Sequence, residues 1–191
     1  MVFVPRGHSY FRDYKMTTEI GHLDFETFSE IDVRKVGAHR YARHPSTEVL
    51  IACYLLPGMD EPEVWLPRQE APPARLVSWV RGGGKIGAHN AAFERAVWRW
   101  CLRRMHPSTP EVKDNQWVCT AAKAAASGLP RSLEKALKAA GLEVEKDLEG
   151  SKLIKVFCGP RKPTKADART RILPEQDARF QRFIEYCQQD V

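Results

Sequence analysis

Residues 20–28 read IGHLDFETF, and this stretch decides the predicted fold. Its residues favour β-structure, and polar residues follow it, which indicates a strand. Side chains two apart on a strand point to the same face, so Asp24 and Glu26 project together while Phe25 faces the opposite side. The sequence therefore predicts a strand with two carboxylates on one face.

The pattern around this strand alternates between short strands and helices. The other predicted strands are residues 36–41, 49–56, 64–66, 85–88 and 117–120, and the predicted helices are residues 74–80, 90–105, 121–126, 132–140 and 174–191. A turn at His44-Pro45-Ser46 joins two early strands, so the first three strands are expected to form an antiparallel meander. Strands that then alternate with helices indicate a three-layer α/β domain with a mixed sheet.

The bulk composition excludes several classes of protein. The chain has 191 residues, which suits one domain. It has no apolar run of the roughly 18 residues that a membrane span needs, and no signal-peptide core, so we expect a cytoplasmic protein without a membrane partner. The five cysteines are scattered without a CxxC pair, which argues against a disulfide framework and a structural zinc site. Residues 1–17 show no period and are interpreted as an N-terminal extension.

The net charge of +6 is concentrated in one stretch. Residues 155–171 contain six basic residues and one acid, Asp167. Such a stretch is suited to follow a phosphate backbone, and it is equally suited to be a solubilising loop. The basic residues are Lys155, Arg161, Lys162, Lys165, Arg169 and Arg171.

Two further motifs carry acids at defined positions. Asn90 to Glu94 reads NAAFE and opens a predicted helix, where Asn90 is a candidate N-cap and Glu94 favours the helix dipole. Tyr186 and Asp190 are four apart on the last predicted helix, so the phenol and the carboxylate share a face. Each motif alone has an ordinary structural explanation, as does an Asp-x-Glu pair on a solvated strand. Their order in one domain-sized chain favours a common site.

With its three motifs in this order, the chain resembles the DEDD superfamily of 3′→5′ exonucleases, in the branch with tyrosine in the third motif. The similarity is closest to the exonuclease domain of bacteriophage-type family A DNA polymerases. It rests on residues 23–29 (LDFETFS), 36–41 (VGAHRY), 88–95 (AHNAAFER) and 159–165 (GPRKPTK). It covers residues 18–191.

The resemblance implies a ribonuclease H-like fold, with three α/β/α layers and a mixed five-stranded sheet. It also implies two divalent ions, Mg²⁺ or Mn²⁺, held by Asp24, Glu26, Glu94 and Asp190. Tyr186 would orient the attacking water. Position 185 is glutamate rather than the histidine of the other branch.

The implied substrate is the 3′ end of single-stranded DNA, with a polymerase domain or chain as a partner. Stacking or backbone contacts would come from Phe28, Asn90 and Phe93, although core packing and helix capping are open alternatives. Phosphate contacts would come from Arg161, Lys162 and Lys165.

Two departures from the family pattern stand out. The superfamily usually has aspartate at the position of Glu94, which reaches one methylene further. The chain also ends one residue after Asp190, as expected for a fragment, a stand-alone nuclease or half of a split enzyme. The alternatives for its function are a stand-alone exonuclease on RNA or short oligonucleotides, and a catalytically silent module that binds nucleic acid or supports a polymerase.

Overall fold

A computed structural model describes residues 20–142, 147–165 and 167–191. Five strands form one mixed sheet in the order β3-β2-β1-β4-β5. They are β1 (Ile20–Phe28), β2 (Glu48–Leu55), β3 (Glu63–Trp65), β4 (Lys85–Ala88) and β5 (Trp117–Cys119). β1 is central and pairs antiparallel with β2 and parallel with β4, which confirms the predicted mixed sheet.

Helices cover both faces of this sheet, which gives the α/β architecture consistent with a ribonuclease H-like fold. They are α1 (Val33–Arg43), α2 (Ala74–Arg81), α3 (Ala92–Ala96), α4 (Arg103–Met105), α5 (Thr120–Ala126), α6 (Leu133–Ala139), α7 (Leu148–Phe157) and α8 (Phe180–Gln189). A π-helical segment (Val97–Leu102) joins α3 to α4, so the predicted helix 90–105 is confirmed in type and shortened at its start. None of the helices in the described ranges has the length and apolar character that crossing a bilayer requires.

Strand alternation divides the core into two parts. Leu23 and Phe25 of β1 face a core that includes Val97 and Trp98 of the π-helical segment. The opposite face of the sheet carries Asp24 and Glu26 and is covered by α7 and α8, whose side chains build the second core. The two carboxylates therefore lie at the edge of a second apolar layer.

The prediction of a strand at residues 36–41 is wrong, and the antiparallel meander consists instead of β1, β2 and β3. Residues 36–41 belong to α1, whose first turn is capped by the Asp32 carboxylate accepting the Arg34 backbone N–H. Gly37 interrupts the helix with φ 76° and ψ 159°, and the second turn buries Tyr41 and Ala42. The predicted turn at His44-Pro45-Ser46 is present, and it joins this helix to β2.

Gly37 adopts a conformation that is essentially restricted to glycine. A Cβ atom there would meet nothing within 4 Å, so an alanine would suffer from its backbone angles alone. We expect Gly37→Ala to lower the free energy of unfolding by about 1–3 kcal/mol in urea denaturation. Gly159→Ala is the matched control, because Gly159 has equally open space and no positive φ. Equal stabilities of the two variants would contradict the expectation.

The C-terminal part of the chain differs from the prediction in two places. Residues 174–191 do not form one helix, because a 3-10 turn (Pro174–Gln176) comes first and α8 begins only at Phe180. α7 has no counterpart among the predicted elements. It begins at the Asp147 cap, whose carboxylate accepts the Gly150 backbone N–H at 2.8 Å, and it packs Leu153 and Phe157 into the second core. The proposed extension, residues 1–17, lies outside the described residues.

Candidate metal and nucleic-acid site

Three carboxylates meet where α8 crosses the central strand. Asp24, Glu26 and Asp190 each present an oxygen atom, and these atoms lie within 4.8 Å of one another. Asp24 and Glu26 come from β1, and Asp190 is the C-cap residue of α8. Residues from the two ends of the described chain therefore form one acidic cluster.

Burial and mutual repulsion hold protons on this cluster. Burial, followed by the charge of Asp190, raises the pKa of Asp24 to about 7. The pKa of Glu26 lies well above its ordinary value, first through burial and then through the charge of Asp24. Desolvation of its carboxyl group also raises the pKa of Asp190. At neutral pH such a cluster is poorly stable as a set of free anions.

Cysteine thiols, rather than cations, are the neighbours of these carboxylates. The Cys158 thiol donates to Glu26 Oε2 at 3.4 Å, and the Cys187 thiol donates to Asp24 Oδ2 at 3.7 Å. Within the described ranges, no lysine or arginine forms an ion pair with any of the three acids. A weak thiol donor does not neutralise a carboxylate, so the cluster has room for a cationic charge.

Glu94 lies beside this cluster but outside the set of three. It is 4% exposed in the first turn of α3, as predicted. Burial, followed by the charge of Asp24, raises its pKa to about 8. Its Oε2 atom is buried without a hydrogen-bond partner in the part of the chain that the structure describes. Such an orphaned acceptor is costly, and a cation beside Asp24 would satisfy it.

Tyr186 completes the cluster from α8. Its phenol lies beside the Asp190 carboxylate one turn later and feels its negative charge, as the spacing of the third motif predicts. Burial, followed by the negative charge of Asp190, raises the pKa of the Tyr186 phenol. The phenol therefore stays protonated near neutral pH and acts as a hydrogen-bonding group.

The residues present fit hard divalent cations. Three carboxylates converge without a cationic partner in the described ranges, and a fourth has a buried free oxygen. Oxygen-only clusters of this kind suit Mg²⁺ or Mn²⁺. The acidic cluster can therefore hold metal, with Asp24, Glu26 and Asp190 as the most direct ligands and Glu94 within reach of the same charge.

A groove of about 780 Å³ opens beside Glu26. Tyr41, Phe93 and Ile154 supply apolar surface, and the exposed Lys155 lies at its rim. The rings of Tyr41 and Phe93 are 5.9 Å apart at a tilt of 44°. The groove thus combines an acidic end, aromatic walls and a cation, which suits a strand of nucleic acid.

Phe28 is buried in the core, whereas Asn90 is exposed at the surface. Phe28 is 3% exposed in the second core, and the Arg171 guanidinium lies 3.8 Å from its ring centroid. This position is that of a core residue, so its stacking on a base stays a prediction that would require Arg171 to move. Asn90 does not cap the helix, because Ala91 occupies the N-cap position. Asn90 is exposed with φ 67°, so its side chain is free for another role.

The basic stretch is partly neutralised within the protein. Arg161 and Arg169 both pair with Asp167, and Arg171 pairs with Glu48. Lys162 and Lys165 are exposed and form no ion pair among the described residues. The sequence alone does not distinguish the paired cations from the others, because the ion pairs depend on how the loop folds.

Several residues around the site were not singled out in the sequence. Cys158 and Gly150 belong to the unpredicted α7 or its end, and Cys187 lies between two motif residues. Lys155 was named as part of the basic stretch, and the structure places it on α7 at the rim of the groove. Cys187 could have been found from its position, because a residue three before Asp190 shares its helical face. No sequence signal places Cys158 beside Glu26.

Comparison with known proteins finds similarity to a viral DNA polymerase. No family model matches the chain. The DNA polymerase of Bacillus phage SP02 is 35% identical over 172 residues, which is 88% of this chain and 26% of that polymerase. The chain thus spans about a quarter of the length of the relative that it matches. Over most of its length, the chain is similar to part of a phage DNA polymerase.

Proposed function

We propose that residues 18–191 are a metal-dependent 3′→5′ exonuclease domain that hydrolyses the 3′ end of single-stranded DNA. The proposal rests on one observation above the others. The oxygens of Asp24, Glu26 and Asp190 converge within 4.8 Å, and Tyr186 lies one helical turn before the last of them. The similarity to a phage DNA polymerase supports a nucleic acid as the substrate and a polymerase domain or chain as the partner, with proofreading as the role.

The metal ions would be held by Asp24, Glu26 and Asp190, with Glu94 contributing its free oxygen. When bound, two divalent cations supply an activated water and stabilise the charge on the leaving oxygen of a phosphodiester. Binding them removes the repulsion that keeps these acids protonated. The protein itself contributes an arrangement of acids fixed by a central strand and a packed helix.

Tyr186 would position the attacking water. Its hydroxyl lies beside Asp190, and a lone pair on the phenol oxygen can accept a hydrogen bond from water. The raised pKa of the phenol excludes it as the group that removes a proton near pH 7. We therefore assign it an orienting role.

The groove beside Glu26 would receive the terminal nucleotides. Phe93 offers a half-buried ring, and Asn90 offers an exposed amide at the turn before α3. Lys155 at the rim, together with Lys162 and Lys165 on the following loop, would attract the phosphates without regard to sequence. Arg161 is the weaker candidate, because Asp167 already binds it.

The direct test is degradation of a 5′-labelled single-stranded DNA oligomer with Mg²⁺ or Mn²⁺, and again with EDTA. A metal-dependent ladder that shortens from the 3′ end is expected. A matched RNA oligomer measures the preference for deoxyribose. A folded protein that binds Mn²⁺ without cleaving either oligomer would contradict the proposal, and one that also fails to bind Mn²⁺ would identify a silent module.

The two free lysines of the basic loop make a separate prediction. We expect the double variant Lys162→Gln, Lys165→Gln to weaken oligomer binding and to reduce the slope of log K against log[salt] by about 1.4, since each phosphate contact to a single strand contributes about 0.7. The control is Arg81→Gln with Lys85→Gln, since Lys85 lies beside Ile20 at the far end of β1. Equal slopes in both double variants would exclude the loop from the binding surface.

A further inference from the structure

Helix α7 carries a glycine where its backbone does not require one. Gly150 is the third residue of the helix, and its φ angle is not positive. Glycine is among the poorest helix-forming residues, and alanine among the best. A buried glycine at a helical position that any residue can adopt indicates that the missing Cβ atom matters for packing.

The space left by this missing atom is taken up by the Tyr186 ring and by the Asp147 carboxylate. A Cβ atom on Gly150 would lie 2.2 Å from Cδ2 and 2.7 Å from Cγ of the tyrosine ring, and 2.6 Å from Asp147 Oδ2. All three distances are far below van der Waals contact, so the ring lies directly against the backbone of α7, next to the cap of this helix. The Phe183 ring is nearly parallel to that of Tyr186, at a tilt of 9° and a centroid distance of 6.2 Å. The ring is therefore enclosed by both helices.

An ion pair fixes the two helices beside this contact. The Asp147 carboxylate accepts the backbone N–H of Gly150 and also pairs with the Arg182 guanidinium, one turn before Tyr186 on α8. One carboxylate thus holds the first turn of α7 against α8. This ion pair sets the separation of the two helices at the Tyr186 ring.

We infer that Gly150 is a positioning residue, which lets the Tyr186 ring lie against α7 and so fixes the place of its hydroxyl beside the acidic cluster. The role in catalysis rests on the function proposed above, whereas the contact itself does not. A side chain at position 150 would displace the ring by more than 1 Å, along with the phenol oxygen that orients the water.

The first test is hydrolysis by Gly150→Ala in the full chain. Because a displacement of about 1 Å at a reacting group costs on the order of 10²-fold, we expect kcat to fall by roughly 10- to 100-fold with little change in KM. Glu149→Ala is the matched control, since Glu149 is the neighbouring residue and its side chain is 85% exposed. We expect the control to retain the wild-type kcat.

A double-mutant cycle separates positioning from general damage. If Gly150 acts through the Tyr186 hydroxyl, Gly150→Ala should have little further effect in a chain that already carries Tyr186→Phe. If the two losses multiply instead, Gly150 supports the structure broadly, and the inference is overturned.

A readout without activity keeps the inference independent of the proposed function. The chain contains five tyrosines, so ¹⁹F NMR of 3-fluorotyrosine-labelled protein gives few resonances, and Tyr186→Phe identifies the one from Tyr186. We expect Gly150→Ala to shift this resonance and Glu149→Ala to leave it unchanged. A shifted resonance in a chain without nuclease activity would remove the proposed function and retain the contact, whereas an unmoved resonance would overturn the inference.

Arg182→Gln is the second variant, in case alanine at position 150 prevents folding. It loosens α7 from α8 without adding atoms beside the ring. We expect a smaller loss of kcat, again absent in the Tyr186→Phe chain, and a broadened Tyr186 resonance. Wild-type values of both quantities would overturn the inference.

Discussion

Asp24→Asn is expected to reduce the rate of DNA hydrolysis by at least about 10³-fold while the protein stays folded. Asp24 is the acid that interacts with each of the others, since its charge contributes to the raised pKa of both Glu26 and Glu94. Metal ions contribute several kcal/mol to stabilising the charge of a transition state, and each 1.36 kcal/mol is a factor of ten in rate. Loss of one shared ligand therefore removes most of the catalysis.

The same change should not destabilise the metal-free protein. Asparagine has nearly the volume of aspartate and removes one of several mutually repelling carboxylates. Asp60→Asn is the control, because Asp60 is an exposed loop residue without an ion pair in the described part of the chain. Rates from the oligomer assay and midpoints of urea denaturation, measured in EDTA, test both halves of the expectation. If Asp24→Asn unfolds the chain, or cleaves at the wild-type rate, Asp24 is not a metal ligand.

The second large effect is an inverted dependence of stability on pH. In the unfolded chain, Asp24 and Glu94 lose their protons near 3.8 and 4.5, whereas in the folded chain they keep them to about pH 7 and 8. The folded state therefore binds more protons between these values, and stability must fall as the pH rises through this window. We expect the metal-free protein to lose on the order of a few kcal/mol of unfolding free energy between pH 5 and 8.

Divalent metal should reverse this loss. At pH 8 the acids must be ionised to bind a cation, so Mg²⁺ or Ca²⁺ stabilises the folded state more at pH 8 than at pH 5. Urea denaturation at both pH values, with EDTA and with each metal, measures the effect. Asp24→Asn isolates the contribution of the cluster, because His22 titrates in the same window with the opposite sign. A slope that is the same in the wild type and in Asp24→Asn would refute the raised pKa of this acid.

The sequence predicted correctly the elements whose pattern depends only on neighbouring residues. β1 and β4 have the predicted bounds, because alternation and the following polar or glycine residues define them within a few positions. The relative placement of Asp24 and Glu26 follows from the same rule. The prediction that Tyr186 and Asp190 share a helical face also holds, although the last helix begins later than predicted. Residues four apart on a helix share a face wherever the helix starts.

The predictions that were wrong or missing depend on tertiary contacts. α7 was missed because the glycine in its first turn argues against a helix, and the Tyr186 ring that packs against this glycine is distant in the chain. The burial of Phe28 depends on Arg171 and on a shift in the pairing of β1 after Glu26. Neither contact is visible in a linear pattern, because residues distant in the chain supply it.

The carboxylates of β1 and α8 come together across almost the whole length of the described chain. The contact between Cys187 and Asp24 spans 163 residues, so the loop that closes it is nearly the whole domain. Contacts of such long range are slow to form, because the entropy of closing the loop must be lost before the contact stabilises the fold. A metal-sensitive probe of this cluster would therefore report when α8 docks on the central sheet, and its appearance in refolding kinetics should lag behind the formation of the strands themselves.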